Sequence, residues 1–244
     1  MCVVAENQLE ISVKGALPFI TAALLHKNTT IQHQAVWGIA NLSTHRNTLL
    51  FSFFLLFSVC STHPHNCLIS VVFFDAESCR AKFDDVVSTA LIDLLKTGPV
   101  EVKAQSIKAL ANLGLDDNYR NEIGKLGGCA VLLDIVQSRV QSLRLYDHSL
   151  VALLNLSIDA YCRDAMRHAN GLGVVMQVLR DTQGSDNNLI TGLKLFTNLA
   201  FTEENRTAFI AMKAVPLITS LRSSPVNAVS QQAQKASQML GLSG

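Results

Sequence analysis

The chain has 244 residues, of which 20 are basic and 19 acidic, so its formal net charge is +1 at pH 7. A charge this close to neutral gives no general attraction to polyanions, which disfavours nucleic acid or an acidic membrane surface as the partner. Hydrophobic residues make up 49% of the chain, with only 13 Gly and 5 Pro, a composition typical of a folded, helical, core-rich protein and not of a disordered one.

The cysteines and the N-terminal stretch indicate the compartment. The six cysteines show no spacing typical of a disulfide framework, which favours a reduced intracellular protein. The opening stretch MCVVAENQLEISVKG has no basic start followed by an apolar core, so no signal peptide is evident. We therefore expect a cytoplasmic protein, a nuclear protein, or one present in both compartments. The cysteines stand at positions 2, 60, 67, 79, 129 and 162.

The first prominent element is an apolar segment that ends in GIANLS, and this phrase recurs along the chain. It returns as ALANLG, ALLNLS and LFTNLA, and the last three copies are 43 residues apart. Arginines follow the three later asparagines by eight residues, and Gly128, Gly171 and Ala214 follow those arginines by eight more. Three sets of positions that recur with the same period indicate an array of sequence repeats. The asparagines are Asn41, Asn112, Asn155 and Asn198, and the arginines are Arg120, Arg163 and Arg206.

Each copy of the phrase predicts the end of an amphipathic helix. The positions five before, two before and one after the asparagine are apolar in all four copies. At 100° per residue these positions share one helix face, and the asparagine points about 160° away from it. We therefore expect the stripe in the core and the asparagine on a face toward solvent or a ligand. The stripe residues are Val36, Ile39, Leu42; Ile107, Leu110, Leu113; Leu150, Leu153, Leu156; and Leu193, Phe196, Leu199.

Residues 48–76 interrupt the period, because the interval from Asn41 to Asn112 is 71 residues instead of 43. This segment holds six of the eleven Phe and has no Lys or Arg. Pyrimidine-rich codons encode such a composition, so a translated intron and a genuine loop insertion both remain open. In either case we expect the segment to bulge from the array and to contribute little to function.

Two further interpretations of residues 48–76 are disfavoured. A membrane span needs about 20 predominantly apolar residues, whereas the run LLFSFFLLFSVC has 12 before Pro64 and two histidines interrupt it. Cys60, His63, His65 and Cys67 are ligand types that zinc accepts. Ligands separated by single residues are hard to fold around one tetrahedral ion, so we expect no metal site there.

The later copies each predict three helices. A short segment such as 118–128 precedes a shorter apolar helix such as 129–136, which is entered through Gly128 or Gly171, or through Pro18 or Pro216 in other copies. The asparagine-ending helix is the third. A lone unit of this size cannot bury enough surface to fold, so neighbouring units must stack.

The expected fold class is all-α: a right-handed α-solenoid of about five three-helix repeats. The expected repeats are 1–47, 77–117, 118–160, 161–203 and 204–244, with 48–76 as the foreign insertion. Because third helices stack in register, the four asparagines are expected to form a ladder along one surface.

Three helices per repeat, the glycine junction and the Asn-Leu-small ending of the third helix resemble the armadillo repeat family. The resemblance covers the chain except residues 48–76. It implies that the third helices line a groove for an extended peptide, with the asparagine amides bonding the peptide backbone. It thereby implies a scaffold or adaptor for protein partners, without a cofactor or a small-molecule substrate. HEAT repeats, which have two helices and lack this asparagine, remain the alternative for a structural scaffold without such a groove.

The residue four positions before each asparagine is expected to lie beside it in the groove. Trp37 with Asn41 resembles importin-α adaptors, in which an indole stacks on the stem of a ligand lysine; this implies nuclear-localisation signals as ligands. Lys108 and Lys194 instead fit acidic or phosphorylated segments, a preference similar to that of β-catenin. Val151 is the fourth member of this set, and acidic and basic ligands both remain open.

No motif points to catalysis. Asp147, His148 and Ser149 are consecutive, so on a helix their side chains diverge and cannot form a relay. No phosphate-binding glycine loop or paired carboxylates stand out. We therefore expect no enzymatic activity.

The two ends resemble neither the start nor the end of a capped array. ENQLEI at 6–11 looks like part of a first helix, and the chain ends at GLSG just after a third helix. We expect the chain to be a fragment of a longer array that exposes apolar faces at its ends.

Overall fold

The computed structural model describes residues 22–42, 52–53, 72–73, 85–138, 142–181 and 184–242. These residues form α-helices, apart from a two-residue antiparallel pair in which Ser52–Phe53 (β1) lies against Val72–Phe73 (β2). The all-α prediction is confirmed, since so short a pair is no sheet of the core. The rest of segment 48–76, with its predicted bulge and its Cys60 to Cys67 cluster, lies outside the described residues. In the described part, no helix is both long and apolar enough to cross a membrane.

The chain divides into two compact units, Met1–Asp116 and Asp117–Gly244. In the first unit, helix α1 (Thr29–Leu42) packs against α3 (Val100–Leu113), and α2 (Asp85–Thr97) packs against α3 as well. The helices that carry Asn41 and Asn112 are therefore neighbours, although 71 residues separate the two asparagines. Repeat packing thus continues across the insertion.

The second unit consists of three consecutive helix triplets. First helices begin 43 residues apart at Asp117, Ala160 and Glu203, so three-helix repeats are confirmed here. The third helix of the middle triplet packs against the third helices of both neighbouring triplets. The helices are α4 (Asp117–Lys125), α5 (Gly128–Ser138), α6 (Leu143–Leu156), α7 (Ala160–His168), α8 (Gly171–Arg180), α9 (Asp186–Leu199), α10 (Glu203–Ala211), α11 (Ala214–Arg222) and α12 (Asn227–Met239).

The predicted apolar stripe forms the core. Every stripe side chain that the structure describes is at most 1% exposed, and only that of Leu42 lies outside the described set. On α9, the Phe196 ring packs at 4.2 Å between centroids against Phe209 of α10. Burying one such ring stabilises the fold by about 1.5–3 kcal/mol, so aromatic contacts of this kind help to hold one repeat against the next.

In the second unit, a residue with a left-handed backbone conformation precedes each second helix. It lies one position before the junction residue of the sequence pattern, which is Gly128, Gly171 or Ala214. Gly127, Asn170 and Lys213 have φ values of 79°, 60° and 62°. They follow the ends of α4, α7 and α10, where a left-handed residue stops a helix. Gly171 has a different role, since a Cβ there would lie 2.6 Å from the Met166 carbonyl oxygen.

Helix α12 presents polar side chains to solvent. Gln231, Gln234 and Gln238 are exposed, while Val229 and Ala233 are buried. This helix packs on α9 and α11, and the expectation that the chain is a fragment of a longer array stays a prediction. The N-terminal residues 1–21 lie outside the described part.

Candidate functional site

The predicted site residues of the first unit lie on two neighbouring helices. Trp37 is on α1 and 44% exposed, while Lys108 and Asn112 are on α3 and half-buried. Asn41 stands one residue before the end of α1, and its side chain lies outside what the structure describes. Adjacent α1 and α3 thus hold one half of the predicted set.

The second unit carries the other half on α6 and α9, which also pack against each other. Val151 is 44% exposed and Lys194 is exposed, whereas Asn155 and Asn198 are half-buried. The fully buried stripe lies on another face of each helix. We use the term asparagine face for these site residues of the third helices, taken separately in each unit.

Asn198 bonds to the neighbouring repeat, which the sequence did not suggest. Its Nδ2 donates a hydrogen bond to the Ser157 hydroxyl at 2.8 Å. That hydroxyl donates in turn to the Leu154 carbonyl oxygen at 2.7 Å. Asn198 therefore does not project freely toward solvent or ligand, because part of its amide joins α9 to the end of α6. The phrase NLS at 155–157, against NLG and NLA in the other two later copies, was the available signal, and the first copy also reads NLS at 41–43.

A second polar link joins the same two helices near their N-termini. Asn188 Nδ2 donates to Asp147 Oδ1 at 2.8 Å. Asp147 precedes Val151 by one helical turn, so an acidic group also lies toward this end of the asparagine face. Lys194 makes no ion pair with any described residue.

The arginine row bonds structural carbonyls. Arg163 Nη1 donates to the carbonyl oxygens of Ser157 and Ile158 at 3.0 and 2.6 Å. Arg206 Nη1 donates in the same way to Ala200 and Phe201 at 3.2 and 3.0 Å. A cation at the carbonyl end of a helix also interacts favourably with the helix dipole. At these two positions the arginines therefore have a structural role.

Two exposed apolar side chains follow the asparagines of the second unit, and sequence analysis missed them. Ile158 is 56% exposed and Phe201 is 67% exposed. The guanidinium carbon of Arg163 lies 5.3 Å from the centroid of the Phe201 ring, within cation–π range. Both residues stand three positions after an asparagine, and that shared spacing was the signal that could have found them.

The polar and titratable side chains of the second unit that the sequence singled out do not come together as a reactive group. Asp147 is exposed while Ser149 is fully buried, so these two side chains do not meet. The Cys162 thiol donates to the Arg120 carbonyl oxygen at 3.0 Å, and a hydrogen bond with Cys129 together with burial raises the pKa of Cys162 far above its ordinary value. Such a thiol is a poor nucleophile. Across the described residues, no cluster of three or more His, Cys, Asp or Glu could hold a metal ion.

Comparison with known proteins identifies the fold. No protein-family model matches the sequence, and no curated protein matches it. Computationally designed armadillo repeat proteins for modular peptide recognition match with a TM-score of 0.74 at 17% identity, over 96% of this chain and 86% of theirs. A designed armadillo repeat protein in complex with the peptide (KR)4 matches with the same values.

An engineered protein also matches, with a TM-score of 0.74 at 18% identity, over 94% of this chain and 49% of its own. At such identities the similarity establishes the fold alone, and this fold is of the armadillo repeat type. The three-helix triplets of the second unit agree with it and differ from the two-helix arrangement of HEAT repeats.

Proposed function

We propose that this protein is a non-catalytic scaffold that binds an extended segment of a partner protein on the asparagine face. The observation that carries the proposal is the placement of Asn155 and Asn198. They lie half-buried on adjacent helices, while the stripe of the same helices is fully buried. The similar designed proteins for modular peptide recognition support it as well.

The chemistry of an amide suits this task. A side-chain amide has both donors and an acceptor, so it can pair with a peptide unit as another strand would. Packed helices lie about 8–10 Å apart, which corresponds to roughly three residues of an extended chain at about 3.3 Å each. Asparagines on successive third helices can therefore bond one extended segment at intervals without reading its side chains.

Selectivity comes from the residues four positions before the asparagines. Lys194 is exposed and has no ion pair among the described residues, so it suits an acidic or phosphorylated side chain. Val151 is apolar and 44% exposed, so it suits an aliphatic neighbour. The preferred segment in the second unit therefore alternates acidic and aliphatic residues, and Lys108 extends the same preference to the first unit.

A basic ligand is the second candidate, and Trp37 favours it. The indole is 44% exposed, which leaves area for the stem of a lysine or arginine. One of the similar designed proteins is in complex with the basic peptide (KR)4. Here binding would centre on the first unit and depend on Trp37.

Two matched peptides separate these candidates: eight residues of alternating Glu and Val, and eight of alternating Lys and Val. By fluorescence anisotropy at low salt, the parent binds the Glu-Val peptide more tightly. Lys194→Glu weakens this binding about three- to tenfold and strengthens Lys-Val binding, because the local charge is reversed. Lys125→Glu, an exposed reversal on the first helix α4, is the control and has little effect.

If the Lys-Val peptide binds more tightly and the response follows Trp37→Ala, the basic-ligand candidate is correct. If neither peptide binds the parent above background, the proposal that the asparagine face binds peptides is wrong.

A further inference from the structure

We infer that Ser157 is a positioning residue that orients the Asn198 amide, so that Asn198 presents its Oδ1 to a backbone N–H of a bound segment. This inference rests on the proposed function, because it specifies which atoms of one asparagine a partner meets. It follows from the hydrogen bonds of Ser157 and from the donor and acceptor chemistry of the two side chains.

The Ser157 hydroxyl proton has a defined direction. A serine hydroxyl has one proton to donate and two lone pairs to accept with. Ser157 Oγ lies 2.7 Å from the Leu154 carbonyl oxygen, which can only accept, so the proton points there. Toward Asn198, Ser157 can therefore act only as an acceptor.

The orientation of the Asn198 amide follows. An asparagine oxygen and nitrogen have the same shape, and only the hydrogen-bonding partners decide which points where. Because Ser157 must accept, it is Nδ2 that faces it, at 2.8 Å. The reversed amide would set two acceptor oxygens against each other.

The atoms left for a partner are then defined. The amide nitrogen has two N–H groups, of which Ser157 accepts one. In the described part of the chain, Oδ1 of Asn198 has no hydrogen-bond partner, and the side chain is half-buried, not sealed. Asn198 therefore offers an oriented acceptor and one remaining donor, the complement of a peptide N–H and C=O.

Among the three later copies of the repeat, a hydroxyl at this position is particular to Ser157, and the first copy has Ser43 there. The residue two positions after the asparagine is Gly114, Ser157 or Ala200 in the later copies, so only Ser157 has a hydroxyl. We expect the fixed amide of Asn198 to help set the register of the bound segment.

The test combines binding and spectroscopy on the full chain, with the alternating Glu-Val peptide as the probe. Ser157→Ala is expected to weaken binding about two- to tenfold, because the amide loses its fixed orientation. Asn198→Ala is expected to weaken it at least as much, and the double variant no more than Asn198→Ala alone, since Ser157 acts through Asn198. Thr197→Val is the control: it removes a neighbouring hydroxyl that bonds only the Leu193 carbonyl at 2.8 Å, and binding should be unchanged.

Side-chain amide NMR gives a readout that a merely structural role would not move. In the unliganded parent, one Asn198 amide proton should be shifted downfield and exchange slowly with water. Ser157→Ala should remove both properties, and Thr197→Val should keep them. Ala200 occupies the corresponding place in the next repeat, so an alanine at 157 is compatible with the fold.

The outcomes separate the inference from the function on which it rests. If Asn198→Ala weakens binding and Ser157→Ala does not, or if their effects add, the positioning role is wrong and the proposed function stands. The same holds if the amide protons of the parent show no sign of a bond to Ser157. If Asn198→Ala binds the peptide as the parent does, the proposed function fails at Asn198 and the inference fails with it.

Discussion

The guanidinium of Arg163 donates a hydrogen bond of 2.6 Å to the backbone carbonyl oxygen of Ile158, five residues earlier in the chain. The same nitrogen bonds Ser157, so one side chain satisfies two carbonyls at the point where the third helix α6 gives way to the first helix α7. Arg206 repeats this arrangement one period later. Arg163 and Arg206 thus stabilise the turns between consecutive repeats of the second unit.

Arg163→Ala is expected to lower the free energy of unfolding by about 1–2 kcal/mol, because two carbonyls lose a charged donor. Arg167→Ala is the matched control on the same helix, since its ion pairs with Asp164 and Glu204 lie at the surface and contribute little. Urea unfolding of both variants measures the difference. Equal losses would show that the carbonyl bonds of Arg163 are unimportant.

Lys213→Gly is expected to stabilise the protein by about 0.5–1 kcal/mol, because a residue with a Cβ is strained at a left-handed φ. Lys213 has a φ of 62°. Gly127→Ala is the reciprocal change at the corresponding junction, where φ is 79° and nothing lies within 4 Å of an added Cβ. It should destabilise by a similar amount through backbone conformation alone, as thermal unfolding would measure. A shift of the same sign in both variants would contradict the assignment.

Ser149→Ala is expected to leave the free energy of unfolding unchanged or to raise it by up to about 1 kcal/mol, since its buried hydroxyl has no hydrogen-bond partner among the described residues. Ser230→Ala is the contrast, because the Ser230 hydroxyl donates to the Arg222 carbonyl oxygen at 2.8 Å. That variant should lose about 0.5–1.5 kcal/mol. Chemical denaturation compares the two, and a clear loss for Ser149→Ala would mean that its hydroxyl has a partner in solution.

Deleting residues 48–76 is expected to leave the helical content and the Tm unchanged and to keep or raise solubility. The reason is that α1 and α3 already pack together, and the deletion brings the interval from Asn41 to Asn112 within one residue of the period. Far-UV circular dichroism during heating measures both quantities. A Tm lower by several degrees would assign the segment to the core, and a reading frame without splice signals would rule out its origin as a translated intron.

Replacing Asn155 and Asn198 together by Ala is expected to weaken binding of the Glu-Val peptide about tenfold or more, since each amide contributes about 0.5–1.5 kcal/mol. The helical fold should persist, because neither side chain belongs to the buried stripe. Gln177→Ala removes an exposed amide from the second helix α8 and should not affect binding. Unchanged affinity in the double variant would assign binding to another surface.

The sequence by itself determined the repeat, the three helices of each repeat in the second unit and the apolar stripe of the third helices. These features depend on local periodicity, as Leu150, Leu153 and Leu156 illustrate: their spacing places them on one helix face whatever lies opposite, and all three are at most 1% exposed. The same spacing excluded the asparagines from the core. The positions of Lys194 and Val151 on exposed parts of α9 and α6 followed from that periodicity as well.

The tertiary structure decided what depends on how one repeat is offset against the next. The bond from Asn198 to Ser157 joins residues 41 positions apart, and a shift of a few ångströms between α6 and α9 would remove it. The sequence did not predict the left-handed conformation of Lys213, because glycine and not lysine favours a positive φ. Hydrogen bonds need donor and acceptor within about 3 Å, whereas hydrophobic burial tolerates variation in position. A repeated sequence therefore predicts which face is buried, but only the packed helices determine which polar groups meet.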